Sequence, residues 1–556
     1  MSELKLNEFR IPIDFIKDKY RIKKDTSIDL ELNDEETSVY CKIFDTTDEF
    51  KKLVVNQHAS WYTTDTSYLN DTQTILKNEI PSIPDYDSIM KFHTNIVNPD
   101  DFRDKYNYIG WDKLHFINKS SQALQYMSIY NISAPALSLA MPVIMLLIPF
   151  FMIRIQDSKF TWETYNTCLQ HILRNHSLGQ LFNFRNVNAD KKIMIITSIL
   201  FYLVQIYFNT QSCIRFVKNM IDVHEHVFCI RNYIKHTIES FNHIEDKWKC
   251  CSSYLPFIDK CSEISKKASL IYKEVDNISA LKLSITKMSD IGRVMRIYYM
   301  INIDQDWKDT IDYCIYFNSY INSMACLKTK LSSSIKFCKY SKKTAFKRVV
   351  YPMLPKSDAV GNNVTLDKNI IITGPNAAGK TTTIKAIMIN VILCQQYGCG
   401  YFEKASINPY HALSSYINIP DTSGRDSLFQ AEATRCKTIL DDIESDPKIR
   451  HLCIFDELFS GTNPYEAISA ATAYLKFIGE KKNIDFVLTT HFLDLCRRLD
   501  KIPNVKNMQM QVHEEKDDCF KYTYKMLRGI SNVKGGIKVL RDLDYPLCII
   551  KESTNI

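Results

Sequence analysis

The run Asn369-Ile-Ile-Ile-Thr-Gly-Pro-Asn-Ala-Ala-Gly-Lys-Thr-Thr382 restricts the possible folds of this chain more than any other stretch. A short apolar run that stops at Gly-Pro reads as a buried strand, and the residues after it read as a loop that opens a helix. Gly374, Gly379, Lys380 and Thr381 satisfy the spacing G-x4-G-K-[ST]. In that arrangement loop backbone N–H groups and a helix N-terminus hold phosphates. The predicted cradle is Gly374, Pro375, Asn376, Ala377, Ala378 and Gly379 with Lys380, Thr381 and Thr382, and its ligand is a nucleoside triphosphate. Lys380 is expected to reach the β- and γ-phosphates and the Thr381 hydroxyl to ligate Mg²⁺.

Two further apolar runs supply what such a loop lacks. His451-Leu-Cys-Ile-Phe-Asp-Glu457 reads as a strand ending in two carboxylates. Asp456 is expected on the Mg²⁺ side and Glu457 beside the attacking water, as its general base. Phe486-Val-Leu-Thr-Thr-His491 reads as another strand, whose terminal histidine can contact the γ-phosphate and sense its loss. The candidate catalytic residues are therefore Glu457, His491 and Lys380, and the candidate metal ligands are Thr381 and Asp456.

Composition narrows the setting. The 556 residues suffice for two or three domains. The 17 cysteines contain no C-x-x-C pair, so neither a zinc ribbon nor a secreted disulfide framework is indicated, and the expected state is reduced. A net charge of +7 is slight for this length and permits, without demanding, contact with phosphates. Met1 to Lys24 alternates charged and apolar residues and does not read as a signal peptide.

Ile132 to Ile153 is 22 residues without a charge, enough at ~1.5 Å per helical residue to cross a bilayer core of ~30 Å. Ile193 to Phe208 is a second uncharged stretch, of 16 residues, short for a span. Pro135, Pro142 and Pro149 each remove a helix hydrogen bond in the first segment, which membrane helices tolerate when neighbours satisfy the freed carbonyls. Arg154, Lys191 and Lys192 flank the connection, so the positive-inside rule does not favour exporting it. The expectation is a membrane hairpin with both large parts cytosolic; the alternative is a buried helix pair in a soluble protein. Around these runs, Tyr106 to Tyr130 and Arg215 to Lys336 show the three- and four-residue apolar spacing of packed helices. The stretch Lys336 to Arg348, with six positive charges among aromatics, reads as a solvated linker face able to touch phosphates.

Ile371-Ile-Thr-Gly-Pro-Asn-Ala-Ala-Gly-Lys-Thr381, Ser423-Gly-Arg-Asp-Ser-Leu-Phe-Gln-Ala-Glu432, Asp456-Glu-Leu-Phe-Ser-Gly-Thr-Asn-Pro464 and Thr490-His-Phe492 together resemble the ATPase domain of the MutS family, a branch of the ABC-type ATPases. The resemblance implies an α/β P-loop (ABC-type) ATPase domain, preceded by a mainly α-helical core and lever, with ATP and Mg²⁺ as cofactors. It implies that Ser427, the signature serine, is offered to the γ-phosphate bound by the other subunit of a homodimer, or of a heterodimer with a related subunit. It also implies that Asp456 to Pro464 crosses that interface. Tyr524-Lys-Met-Leu-Arg-Gly-Ile-Ser531 with Gly535, Gly536 and Tyr545-Pro546 resembles the family's closing strand, glycine turn and final helix. Two departures stand out: Ala378 replaces a glycine, and Asp358 to Asn363 lacks the aromatic that usually covers adenine, leaving Val360 for that place.

The resulting division is 1–105 as an N-terminal region, 106–345 as helical core and lever with the hydrophobic hairpin, and 346–556 as the ATPase domain. In chain order the hairpin takes the place of the family's DNA clamp. No copy of the F-x-E motif with which mismatch-reading relatives stack on a mispaired base is found between Met1 and Pro99, and Trp61, Tyr62 and Phe92 are expected to fill a small core. The expected function is ATP-dependent DNA binding of the mismatch-repair type with weak or absent mismatch reading. The alternative is a membrane-associated ATPase that couples the same dimer cycle to a membrane or protein partner. The expected location is membrane-associated with a cytosolic ATPase domain, the alternative soluble, cytoplasmic or nuclear.

Overall fold

In the computed structural model of the chain, the described residues are 9–33, 38–46, 49–82, 84, 89, 99–155, 160–175, 188–276, 278, 290–417, 419, 428–515, 519–533, 543, 545, 546, 549 and 552. The longer helices are α1 (Glu49–Ala59), α2 (Thr66–Lys77), α3 (Ser121–Ile155), α4 (Trp162–Asn175), α5 (Ala189–Trp248), α6 (Leu255–Val275), α7 (Ile291–Ile303), α8 (Gln305–Leu331), α9 (Lys380–Tyr397), α10 (Leu428–Ser445) and α11 (Pro464–Gly479). The strands are β1 (Lys19–Arg21), β2 (Trp61–Thr63), β3 (Lys336–Tyr340), β4 (Ala345–Val349), β5 (Asn362–Thr365), β6 (Asn369–Thr373), β7 (Cys399–Gly400), β8 (Lys404–Ile407), β9 (Ala412–Tyr416), β10 (His451–Asp456), β11 (Ile484–Thr490), β12 (Val505–Glu515) and β13 (Cys519–Arg528). The chain forms two packed units, one from Pro84–Glu239 and Ile264–Asp312, the other from Leu6–Ile83, Ser240–Glu263 and Tyr313–Ile556.

The second unit is built on a six-stranded sheet of order β13-β12-β6-β11-β10-β9. Its strands are parallel except for β13, which pairs antiparallel with β12. Parallel strands need crossovers and are covered on both faces, which is why β6, β10 and β11 are continuous apolar runs rather than alternating ones. β6 is buried along its whole length. α10 connects β9 to β10, and α11 connects β10 to β11. α11 starts on Pro464 after Asn463, whose side chain accepts from the Glu466 N–H at 3.0 Å.

α9 is apolar on all sides, and such a helix must be covered on all sides. It is buried from Thr383 to Tyr397, and N-terminal residues provide part of the cover. Gln396 Nε2 donates to the carbonyls of His58 (2.9 Å) and Trp61 (2.7 Å), and Gln395 Nε2 to that of Thr63 (3.1 Å). Asp29 accepts from Ser415 Oγ at 2.6 Å and from the Ile417 N–H at 3.2 Å. The division by packing thus differs from the expected boundaries at 105 and 345. Trp61 and Tyr62 pair in β2 against β1 and lie over the α/β core rather than in a core of their own. Phe92 lies outside the described residues.

Another expectation changes at 336–348. The basic run is not a linker but forms β3 and β4 of a five-stranded sheet, order β5-β4-β8-β3-β7. Cys338, Phe346 and Val349 are buried while Lys336, Lys339, Lys347 and Arg348 stay outside, and a bulge between Phe346 and Val349 leaves the neighbours Lys347 and Arg348 both exposed. Lys347 pairs with Glu403 and is thereby partly neutralised.

The first unit is helical among its described residues. α7 lies against α3 so closely that a Cβ on Gly292 would stand 2.2 Å from the Ser121 carbonyl oxygen, and Gln125 Oε1 accepts from the Gly292 N–H at 2.8 Å. Tyr108 donates to the Met295 carbonyl at 2.7 Å, beside the rings of Tyr106 and Tyr298, 5.0 Å apart. Pro135, Pro142 and Pro149 all lie inside α3, which continues through them for 35 residues. The second apolar run is one part of the 60-residue α5.

Candidate functional site

The site forms where the parallel strands end. Register brings Thr373 of β6 beside Thr490 of β11, and Asp456 of β10 beside Thr489. In open α/β sheets this carboxyl edge is where ligands bind. After Thr373 the chain turns through residues 374–379 into α9. Gly379, the residue before the helix, has φ +89°, a left-handed conformation that glycine adopts freely. A Cβ there would also come within 3.2 Å of the Tyr524 ring. Ala377 is itself left-handed (φ +60°), whereas Ala378 is buried with ordinary backbone, which accounts for the tolerated loss of that glycine.

Lys380 is 5% exposed, and its ammonium folds back on the loop, donating to the carbonyls of Gly374 (3.1 Å) and Pro375 (3.2 Å). Burial pulls its pKa below the usual lysine range, and the charges of Glu457 and Asp456 partly restore it. His491 Nε2 lies 3.0 Å from Lys380 Nζ and 2.8 Å from Glu457 Oε1. One ring nitrogen cannot accept from the lysine and donate to the carboxylate at once. The Glu457 carboxyl is held below the ordinary glutamate range, first by its hydrogen bond to His491, so the carboxylate form prevails there. Glu457 also has φ +52°, a strained conformation of the kind that gathers at functional sites, and its N–H is anchored on the Thr489 carbonyl at 3.1 Å.

Thr381 Oγ1 donates to Asp456 Oδ2 at 2.7 Å, while Thr489 Oγ1 holds Asp456 Oδ1. One hydroxyl and one carboxylate, both hard oxygen donors, fit Mg²⁺, which takes few protein ligands and completes its shell with water and substrate phosphates. Among the described residues no cluster of three or more His, Cys, Asp or Glu side chains is placed to hold a metal ion.

Lys380, Thr381, Asp456, Glu457 and His491 are thus brought together at the end of loop 374–379. Ser427 lies outside the described residues, as do Gly535 and Gly536. The described end of its segment packs on the other expected interface element within the same chain. Buried Glu432 accepts from Ser460 Oγ at 3.0 Å and from the Gly461 N–H at 3.1 Å, and Phe429 meets Phe459 at 5.7 Å between ring centres. Glu432, Thr489 and Tyr524 were missed as site residues by sequence reasoning. The repeated Tyr522 and Tyr524 of a strand was the available signal for the last. The stretch expected to cover adenine instead supplies Asn362, which clamps β13 by donating to the Tyr524 carbonyl (3.0 Å) and accepting from the Met526 N–H (2.8 Å).

The family model for MutS domain V matches residues 370–556. The DNA mismatch repair protein MutS of Caldicellulosiruptor saccharolyticus is 33% identical over 216 residues, 37% of this chain and 24% of that protein. The DNA mismatch repair protein MSH2 of Saccharomyces cerevisiae is 32% identical over 218 residues, 36% of this chain and 22% of that protein. A MutS of Persephonella marina is 28% identical over 218 residues, 38% of this chain and 24% of that protein. The chain therefore spans about a quarter of the length of the curated relatives it matches.

Proposed function

We propose that this chain, whose residues 370–556 belong to the MutS family as a domain V, binds ATP with Mg²⁺ and hydrolyses it as a dimer. The observation that carries the reading is the convergence of Lys380, Thr381, Asp456, Glu457 and His491 at one loop. Lys380 exchanges its two loop carbonyls for the β- and γ-phosphates. Thr381 and Asp456 are the residues that would hold Mg²⁺, which when bound would supply neutralisation of charge on the transferred phosphoryl group. Glu457, kept ionised, takes the proton of the attacking water, and His491, within reach of either Glu457 or Lys380 through Nε2, registers whether the γ-phosphate is present.

Ser427 completes the site of a second subunit. The packing of Glu432 on Ser460 and Gly461 supports this by tying the two segments concerned into one surface. Ser427→Arg and Lys380→Ala subunits should each be inactive alone and recover part of their hydrolysis when mixed. Heterodimers shown by pull-down to form without any rescue would contradict a composite site.

The names of the relatives make duplex DNA the substrate this reading adopts, without strong preference for mismatches. In support, His58, Trp61 and Thr63 of the N-terminal region are occupied in covering α9. A second reading, of the same ATPase held at a membrane with its nucleotide domain cytosolic, is favoured by the exposure of the apolar helix pair. Only 22% of the apolar window of α3 and 6% of that of α5 are buried, whereas the core helix of a soluble protein is mostly buried. Release of the chain from membranes would return it to a soluble cytoplasmic or nuclear setting.

A further inference from the structure

In the sequence the second apolar run ends at Phe208, too early for a span. In the structure α5 continues, and its next polar residues turn onto α3. Asn209 Nδ2 donates to Ser138 Oγ at 2.6 Å, and the Cys213 thiol lies 3.5 Å from the Ile132 carbonyl. These contacts, with Tyr202 also on Ser138, set α3 and α5 antiparallel, residue 132 beside 213 and residue 138 between 202 and 209.

That register aligns the charge-free parts of the two helices. On α3 no charge occurs between Lys119 and Arg154, and on α5 none between Lys192 and Arg215. Arg215 falls beside residue 130 and Lys192 near residue 152, so both helices lack charge through the same slab. The slab holds 22 residues of α5, Ile193 to Ile214, about 33 Å of helix against a hydrocarbon core of ~30 Å. Basic residues flank it at both ends, Lys119 and Arg215 at one, Arg154 and Lys192 at the other, so loop charge is neutral on orientation.

The prolines fit the same surroundings. Pro142 has no N–H for the carbonyl of residue 138, and the Tyr202 hydroxyl donates to that carbonyl at 2.6 Å. Spanning helices keep prolines when a neighbour satisfies the freed group in this way. Aromatics mark both boundaries. Tyr126 and Tyr130 are exposed at one end, and at the other Phe150, Phe160 and Trp162 cluster with ring centres 5.6–5.7 Å apart. Phe160, Trp162 and Tyr130 thus stand where amphipathic and aromatic rings collect at membrane–water interfaces.

We propose that α3 and α5 cross a lipid bilayer completely as an antiparallel pair, so that the connection between them reaches the side opposite the rest of the chain. The proposal rests on the membrane-held reading above and adds its topology. The segment carries its own reporter, the acceptor sequence Asn175-His-Ser177. The full chain, synthesised with endoplasmic-reticulum microsomes, should resist alkaline carbonate extraction. It should also carry one glycan, lost in Asn175→Gln. Release by carbonate would overturn the membrane reading itself. Carbonate-resistant chains that carry no glycan, or that carry glycans both at Asn175 and at Asn118 or Asn277, would leave membrane attachment standing and overturn the crossing.

Discussion

Asn369–Thr373 and Ile193–Ile214 are both apolar runs without a charge, yet they meet opposite surroundings. Ile370, Ile371 and Ile372 are fully buried between layers of helices, whereas Leu200 and Phe201 are 61% and 69% exposed. The first run is short and ends in Gly-Pro, so it can only be a strand, and parallel strands are covered on both faces. The second is long enough to be helical throughout, and nothing among the described residues covers its outward side. Hydrophobicity alone does not separate a run buried in a protein core from one that stays exposed; the length free of charge and the partners of the polar residues within it do.

The largest effect that sharpens this contrast comes from one charge in the slab. An arginine at the centre of a spanning helix costs about 2.5–3.5 kcal/mol. Leu203→Arg should therefore move most of the protein out of the carbonate-resistant fraction, a shift of roughly 10²-fold, while ATP hydrolysis in detergent is retained. Retention unchanged from wild type would place the pair outside the bilayer. Next, equal truncations should have unequal results. Ile371→Ala removes buried methyl groups and should cost about 2–5 kcal/mol in denaturant unfolding. In detergent Leu203→Ala should stay within ~0.5 kcal/mol. Similar losses at the two sites would break the comparison. The smallest effect concerns DNA. Perfect and mismatched duplexes should differ in affinity by less than about tenfold, ~1.4 kcal/mol, and binding to both should weaken steeply with salt. A strong mismatch preference that survives physiological salt in gel shifts would restore a dedicated mismatch reader.

The parts of the site that a local pattern dictates were legible in the sequence. Gly374 to Thr382 is contiguous, and Asp456, Glu457 and His491 each close an apolar strand, so a parallel sheet had to bring them to one edge. What the pattern could not show depends on packing between distant segments. The fitting of residues 9–82 around α9 follows from a helix apolar on every side, but nothing local says which residues will cover it. The basic run 336–348 reads as a solvated linker by its charge, and its two strands appear only through pairing with the distant β8 and β5. Tyr524 comes to the loop only through the pairing of β12 and β13, and the register of the charge-free parts of α3 and α5 appears only when Asn209 and Cys213 are seen turned onto α3.

In the proposed function the edge of the six-stranded sheet hydrolyses ATP with Glu457 as the base. The lowered pKa of Glu457 keeps the base ionised at and below the ordinary glutamate value of 4.5, and that form is lost only as pH falls through the depressed value. Steady-state ATP hydrolysis by the purified full chain with Mg²⁺, wild type against Glu457→Gln, tests the claim most directly. The variant should bind ATP as well as wild type and turn over roughly 10²-fold or more slower, as loss of a general base commonly does. Equal turnover by the two proteins would contradict it.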